Sequence, residues 1–352
     1  MRSISLLGLV LFVALSCKKE DPTVVGGNIV ISNGMMVLCE GLYQQNNTSL
    51  SWINNATGSI INDYFVQTSS VQLGDTGNDM DVYGGKIYIA MTSSSTIQVL
   101  SALTGVQIKN IPMFDGLVAK EPRSVGFFNG KVYVTCYDGY VDVIDTTTLE
   151  VEARILVGNN PEDITEANGM LYVTNSGGLN FPNVDSTVSV INPVTNLEEL
   201  KITVGINPGD IVTDAQGDVY VISRGDYGAI PSRMHRINTT TNTVVEDFTF
   251  DASSIASIGD DFLIGSADFA MGTNIVALFD PVLETITNSS LVDLTGVQAI
   301  YGIKYNPSND HIYILDAMDF TTTGFVREFT SSGVPVADFH VGLNPSSILF
   351  FN

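Results

Sequence analysis

Apolar and polar residues alternate along most of this chain, and the alternation recurs at a near-constant interval. A small turn followed by an alternating strand appears as Gly85-Lys86-Ile87-Tyr88-Ile89, Gly130-Lys131-Val132-Tyr133-Val134 and Gly169-Met170-Leu171-Tyr172-Val173. It returns as Gly217-Asp218-Val219-Tyr220-Val221, Asp261-Phe262-Leu263-Ile264 and His311-Ile312-Tyr313-Ile314. The third strand position advances by 45, 39, 48, 43 and 50 residues, and Met35-Met36-Val37-Leu38-Cys39 is an earlier, weaker copy, which makes seven. Each copy runs on into a second strand, such as Thr96-Ile97-Gln98-Val99-Leu100 or Val141-Asp142-Val143-Ile144-Asp145. A turn rich in Asn, Asp, Thr, Pro and Gly follows, then a third strand such as Glu152-Ala153-Arg154-Ile155-Leu156. Period-two alternation bounded by turn residues is the signature of strands and hairpins. A further short strand precedes several copies, introduced by Pro122-Arg123-Ser124-Val125, Pro161-Glu162-Asp163-Ile164, Pro208-Gly209-Asp210-Ile211 and Pro345-Ser346-Ser347-Ile348.

Four strands per repeat of ~40–45 residues predict an all-β, seven-bladed β-propeller of four-stranded antiparallel blades over residues 28–352. A two-domain sandwich would not produce a steady period. The first copy lacks an innermost strand, while the segment from Pro345 has no outer strands after it. The C-terminal strand is therefore expected to pair into blade one and close the ring, which removes the open edges that invite aggregation.

In such a ring the a–b and c–d turns share one face, and the b–c and d–a connections share the other. The a–b turns are short, whereas the b–c connections are long: 40–46, 175–185, 224–232, 266–272 and 316–323. Length variation confined to one face of a rigid scaffold marks a binding surface. The candidate ligand-binding residues there are Tyr43, Gln44, Tyr137, Asp138, Asn175, Asn180, Phe181, Arg224, Asp226, Tyr227, Asp268, Phe269, Asp319 and Phe320. Aromatic faces beside amides and carboxylates suit a broad amphipathic ligand such as a glycan or a macrocycle. Asp79, Arg123, Asp163 and Asp210 are expected at the mouth of the axial channel, where a polar, water-filled lining is the plainer reading.

Charge narrows the field. With 38 acidic and 15 basic residues the net charge is −23, too acidic for a nucleic-acid partner, whose phosphates need Lys and Arg. Cys39 and Cys136 fall in repeats that should not touch, so two buried free thiols are expected, not a disulfide. No Cys/His spacing resembles a zinc site, and His235, His311 and His340 form no recognisable triad. No metal or cofactor is assigned.

Arg2 followed by an apolar run from Ile4 to Leu15 reads as a secretory signal, residues 1–16, and is too short to span a bilayer. It ends in Ala14-Leu15-Ser16-Cys17, which resembles the bacterial lipobox, with Ala14 where Leu is usual. The resemblance implies lipidation at Cys17, and several acyl chains would hold the protein firmly on a membrane. Lys18-Lys19-Glu20-Asp21 is similar to the export signal of lipoproteins displayed outside the outer membrane, and residues 17–27 read as lipidated Cys and flexible tether.

Several segments resemble the YncE-like seven-bladed propeller lipoproteins of Bacteroidetes, including the BtuG-type cobalamin-capturing proteins. They are Gly74-Asp75-Thr76-Gly77-Asn78-Asp79-Met80, Cys136-Tyr137-Asp138-Gly139 and Val157-Gly158-Asn159-Asn160-Pro161-Glu162. Asn175-Ser176-Gly177-Gly178-Leu179-Asn180-Phe181-Pro182, Val204-Gly205-Ile206-Asn207-Pro208-Gly209 and Ser223-Arg224-Gly225-Asp226-Tyr227 add to these. Leu38-Cys39-Glu40-Gly41 departs from the pattern, where Asn is expected before Glu-Gly. The resemblance implies a surface lipoprotein that captures a corrinoid, as cargo and not as cofactor, and hands it to a TonB-dependent outer-membrane transporter. No bond would be made or broken. The alternatives are an adhesin or scaffold that binds glycan or protein, and a calcium-dependent hydrolase or lactonase whose oxygen ligands leave no linear signature.

Overall fold

The computed structural model describes residues 24–25, 28–268 and 273–352. The expected signal, Cys17 and most of the tether lie outside the described residues. Val24–Val25 pairs with Asn28–Ile29 in a two-residue ladder ahead of the first blade.

Seven four-stranded antiparallel sheets form the ring. Blade 2 runs Gly77–Tyr83, Lys86–Met91, Thr96–Ser101 and Gln107–Pro112 from inside to outside. Blades 3, 4 and 5 begin with the inner strands Pro122–Phe128, Pro161–Ala167 and Pro208–Thr213, and blades 6 and 7 with Ser254–Ile258 and Ile300–Asn306. Blade 1 takes its inner strand, Pro345–Phe351, from the other end of the chain. Met35 pairs with Phe350 and Val37 with Ile348, so the ring closes as expected.

The recurring apolar strand is the second of each blade. Ile87, Tyr88, Ile89, Ala90 and Met91 are all fully buried, because neighbouring blades cover both faces of the sheet. A strand buried on both sides reads as a continuous apolar run. The outermost strands, such as Val151–Leu156 and Thr243–Phe248, carry mixed, half-exposed patterns.

The repeated tyrosine has a second role. Tyr133 donates to the carbonyl of Pro193 (3.3 Å), Tyr172 to Asn242 Oδ1 (2.7 Å) and Tyr220 to the carbonyl of Pro281 (3.3 Å). Each acceptor lies in the c–d turn of the next blade. A buried hydroxyl needs such a partner. Nearer the loop face, Thr92, Thr135 and Thr174 donate to the carbonyls of Pro122, Glu162 and Gly209 on the next inner strand, at 2.7, 2.9 and 2.7 Å. The c–d turns of blades 3 and 6 are Asx turns: Asp145 Oδ1 accepts from the amides of Thr147 and Thr148, and Asp280 Oδ1 from those of Val282 and Leu283.

Cys39 and Cys136 are free and buried in blades 1 and 3.

Candidate functional site

The site begins with a bulge. In blades 2 to 5 the inner strand loses register just after its first residue, between Gly77 and Asp79, Pro122 and Val125, Pro161 and Ile164, and Pro208 and Ile211. A bulge re-aims the side chains it leaves unpaired. Here those are Asn78, Arg123-Ser124, Glu162-Asp163 and Gly209-Asp210, of which Asn78, Arg123, Ser124, Asp163 and Asp210 line an axial channel of about 760 Å³.

They form two tiers. In the upper tier Arg123 grips Glu162 Oε2 through Nε (3.1 Å) and Nη2 (2.9 Å), and its Nη1 donates to Asn78. Glu162 Oε1 accepts from the Tyr137 hydroxyl at 2.8 Å and lies 3.6 Å from Arg224 Nη1. Arg224 Nη2 reaches Asp210 Oδ1 at 3.3 Å. The Arg123 guanidinium also sits over the Tyr137 ring, 4.7 Å from its centroid. Gly209 makes room for this arrangement. A Cβ there would lie 2.4 Å from the Arg224 guanidinium carbon, so Arg224 occupies the place a side chain of blade 5 would take. An arc of hydrogen bonds and ion pairs thus spans blades 2 to 5. Across the mouth, Tyr301 donates to Glu40 and meets Phe320 edge-on at 5.6 Å.

In the lower tier the carboxylates bind the next blade's backbone. Asp79 Oδ2 accepts from the Val125 amide (3.0 Å), and Asp163 Oδ2 from the Ile211 amide (3.2 Å).

The charges follow from this geometry. Burial would push the Glu162 carboxyl up, but Arg123, Arg224 and the Tyr137 hydroxyl outweigh it and hold it below the usual carboxylate value. Glu40 is raised by burial, against the Tyr301 hydrogen bond and Arg123. Burial also raises Asp210, opposed by Arg224, while burial and the charges of Asp210 and Asp79 push Asp163 up to about 7.

The other expected site residues divide into three groups. Tyr43, Phe181 and Tyr227 are 71%, 56% and 75% exposed, the Tyr227 hydroxyl accepting from Asn207 Nδ2 at 3.2 Å, and Asn180 and Gln44 are exposed as well. A second group holds the scaffold. Asn175 is fully buried, accepting from the Gly158 amide and donating to Thr187 and Ser189, and so anchors its loop. Asp138 is paired with Arg154 toward the outside of blade 3. Asp226 accepts the amides of Gly228 and Ile230, and Asp319 those of Thr321 and Thr322, so both carboxylates shape their own loops. The third group is outside the description: Phe269 entirely, and Asp268 beyond its backbone, which ends the strand Asp261–Asp268.

Glu162, Glu40 and Tyr301 were not among the expected contacts. The first two stood in quoted segments, and aligning the residue after each inner-strand start would have gathered Asn78, Arg123, Glu162 and Tyr301. Also unexpected is a small hairpin between blades 2 and 3, where Phe114–Asp115 pairs with Val118–Ala119 and Leu117 at the tip is wholly exposed. Among the described residues no group of three or more His, Cys, Asp or Glu is arranged to hold a metal.

The family described as a domain of unknown function (DUF5074) matches residues 33–350. No curated protein matches the chain. Among solved structures, hydrazine synthase of Kuenenia stuttgartiensis is similar at 18% identity and a TM-score of 0.63, over 77% of this chain and 88% of that one. A quinoprotein alcohol dehydrogenase-like protein of Bacteroides thetaiotaomicron gives 15% identity and a TM-score of 0.62, over 91% and 79%. The dihydro-heme d1 dehydrogenase NirN gives 10% and 0.60, over 95% and 78%. At such identities these likenesses show the propeller fold alone.

Proposed function

The chain belongs to the DUF5074 family, and on that premise we propose that it is a capture protein that binds a scarce nutrient on its long-loop face without chemical change. The observation that carries this reading is the mouth, a fixed bed of donors and acceptors, Arg123, Glu162, Arg224 and Asp210, together with the exposed rings of Tyr43, Phe181 and Tyr227 on the long loops. Groups already locked by one another lose little freedom on binding, and exposed rings on irregular loops supply contact area at low entropic cost. The match is to a broad ligand with an apolar face and many amide or hydroxyl groups. A corrinoid is the single best candidate of that description. The lipobox-like Cys17 and the charge pattern after it support display on the outer membrane, with delivery to a TonB-dependent transporter as the use of the cargo.

The non-catalytic reading is supported by the histidines. His235 is engaged with Asp247, His311 with Glu328 and His340 with Thr323, all on strands away from the mouth. The apolar hairpin tip at Leu117 favours one other reading, a protein ligand on the same face. Calorimetric titration of the purified protein with cobalamin and with cobinamide separates them. Nanomolar binding is expected, and no heat at micromolar ligand would remove corrinoid capture as the function.

A further inference from the structure

Beneath the Arg–Glu arc one hydroxyl stands between two carboxylates. Ser124 Oγ is 2.9 Å from Asp163 Oδ1 and 3.1 Å from Asp79 Oδ2. A serine hydroxyl carries one hydrogen, so it can donate to only one of them. The other contact is a hydrogen bond only if its carboxyl supplies the proton. Two ionised carboxylates facing one hydroxyl would leave an uncompensated repulsion in a partly desolvated place.

We infer that Asp79, Ser124 and Asp163 form a binding site for a single proton, which joins blades 2, 3 and 4 at the channel mouth.

The surroundings leave this proton as the counter-charge. Arg123, on the same strand as Ser124, is turned upward to Glu162 and Asn78. Asp210 on blade 5 adds a third carboxylate, and Arg224 is shared between it and Glu162. Blade 6 contributes Ser254 and Ser257, which carry no charge, and Lys304 on blade 7 interacts with Asp81 lower in the channel. Above, Glu40 is bound by Tyr301. No cation among the described residues is paired with Asp79 or Asp163. The backbone bonds hold both carboxyls in place and favour their ionised form, against burial and the acidic neighbours: Asp163 accepts from the Ile164 amide (2.8 Å) and the Ile211 amide, and Asp79 from the Met80 amide (2.8 Å) and the Val125 amide. The net push on Asp163 is upward all the same, to about 7, by burial first and its acidic neighbours second.

The consequence is a stability term of known sign. A carboxyl whose folded value lies above its unfolded value binds more protons in the folded state, so stability falls as pH rises from about 4 to about 7 and is level beyond. The shared proton is present below that window's upper end and absent above it.

Infrared difference titration of the full chain tests this directly, since only a carboxyl still protonated near neutrality gives the protonated-carboxyl band at pH 6. The expected result is a band that titrates away near pH 7 in the wild type and is lost in Asp163→Asn. Asp79→Asn is the second variant. It leaves Asp163 without its facing carboxylate, and should move the titration to lower pH. In parallel, the melting temperature of Asp163→Asn relative to the wild type should rise between pH 5 and pH 8. A band absent from the wild type between pH 5 and 9, or one unchanged in both variants, would overturn the inference.

Discussion

Tyr88 and Tyr172 occupy the same place in the repeats of blades 2 and 4, yet only one has a partner for its hydroxyl. Tyr172 donates to Asn242 Oδ1 at 2.7 Å in the next blade. Tyr88 is equally buried, and its Oη has no hydrogen-bond partner among the described residues. Replacing each by Phe removes one oxygen and leaves the ring, which for Tyr88 packs against Phe127 at 5.7 Å. In Tyr172→Phe a part-buried interblade bond to Asn242 Oδ1 is lost, a cost of about 1–2 kcal/mol. In Tyr88→Phe the desolvation penalty of an orphan hydroxyl disappears, a gain of up to about 1 kcal/mol. The two variants should therefore differ by about 1–3 kcal/mol, on opposite sides of the wild type. Urea unfolding followed by the fluorescence of Trp52, buried in blade 1, measures this as shifts of the midpoint at constant slope. Equal destabilisation by both substitutions would refute the idea that the repeated tyrosine acts as a latch between blades.

Other outcomes follow from the same geometry. Gly209→Ala should push Arg224 off its seat and weaken corrinoid binding at least tenfold by calorimetry, while Asn175→Ala should lower the melting temperature and leave affinity within about twofold for the molecules that remain folded. Deleting residues 345–352 strips blade 1 of its inner strand and exposes the edge Gly34–Cys39, so the product should aggregate on size-exclusion chromatography. Burial pushes the Cys39 thiol up to about 12 and Cys136 well above its ordinary value, so neither should react with a thiol reagent at pH 8 until the protein is unfolded. Hydrogen bonds from Thr321 and Thr322 hold the Asp319 carboxyl down to about 2. Its contribution to the loop is present above the ordinary carboxylate value and lost only as pH falls through about 2, so the Thr322 amide resonance should not move between pH 7 and 4.

Much of this protein was legible before any coordinates. The tyrosine interval counts the blades, because a strand buried on both faces must be apolar at every position, and the Asx turns announce themselves in Asp145-Thr146-Thr147-Thr148. Ring closure was legible too, from one missing inner strand at the start and one spare at the end. The function of single polar residues was not. Asn175, Asp226 and Asp319 have the same composition-level appearance as ligand groups, but each satisfies backbone or side-chain donors within its own blade, and a hydrogen bond across a loop leaves no mark on residue type. Conversely, Glu162 looked like one more turn residue.

What the chain's order of residues determined by itself is therefore the architecture: seven sheets, a closed ring and one irregular face, all consequences of local period and turn chemistry. What only the tertiary structure decided is the mouth. Arg123 meets Asn78 across 45 positions and Glu162 across 39, and Tyr301 meets Glu40 across 261. Those pairings exist because bulges at equivalent points of adjacent blades turn their side chains toward a common axis. An axis is a property of the assembled ring and not of any segment within it.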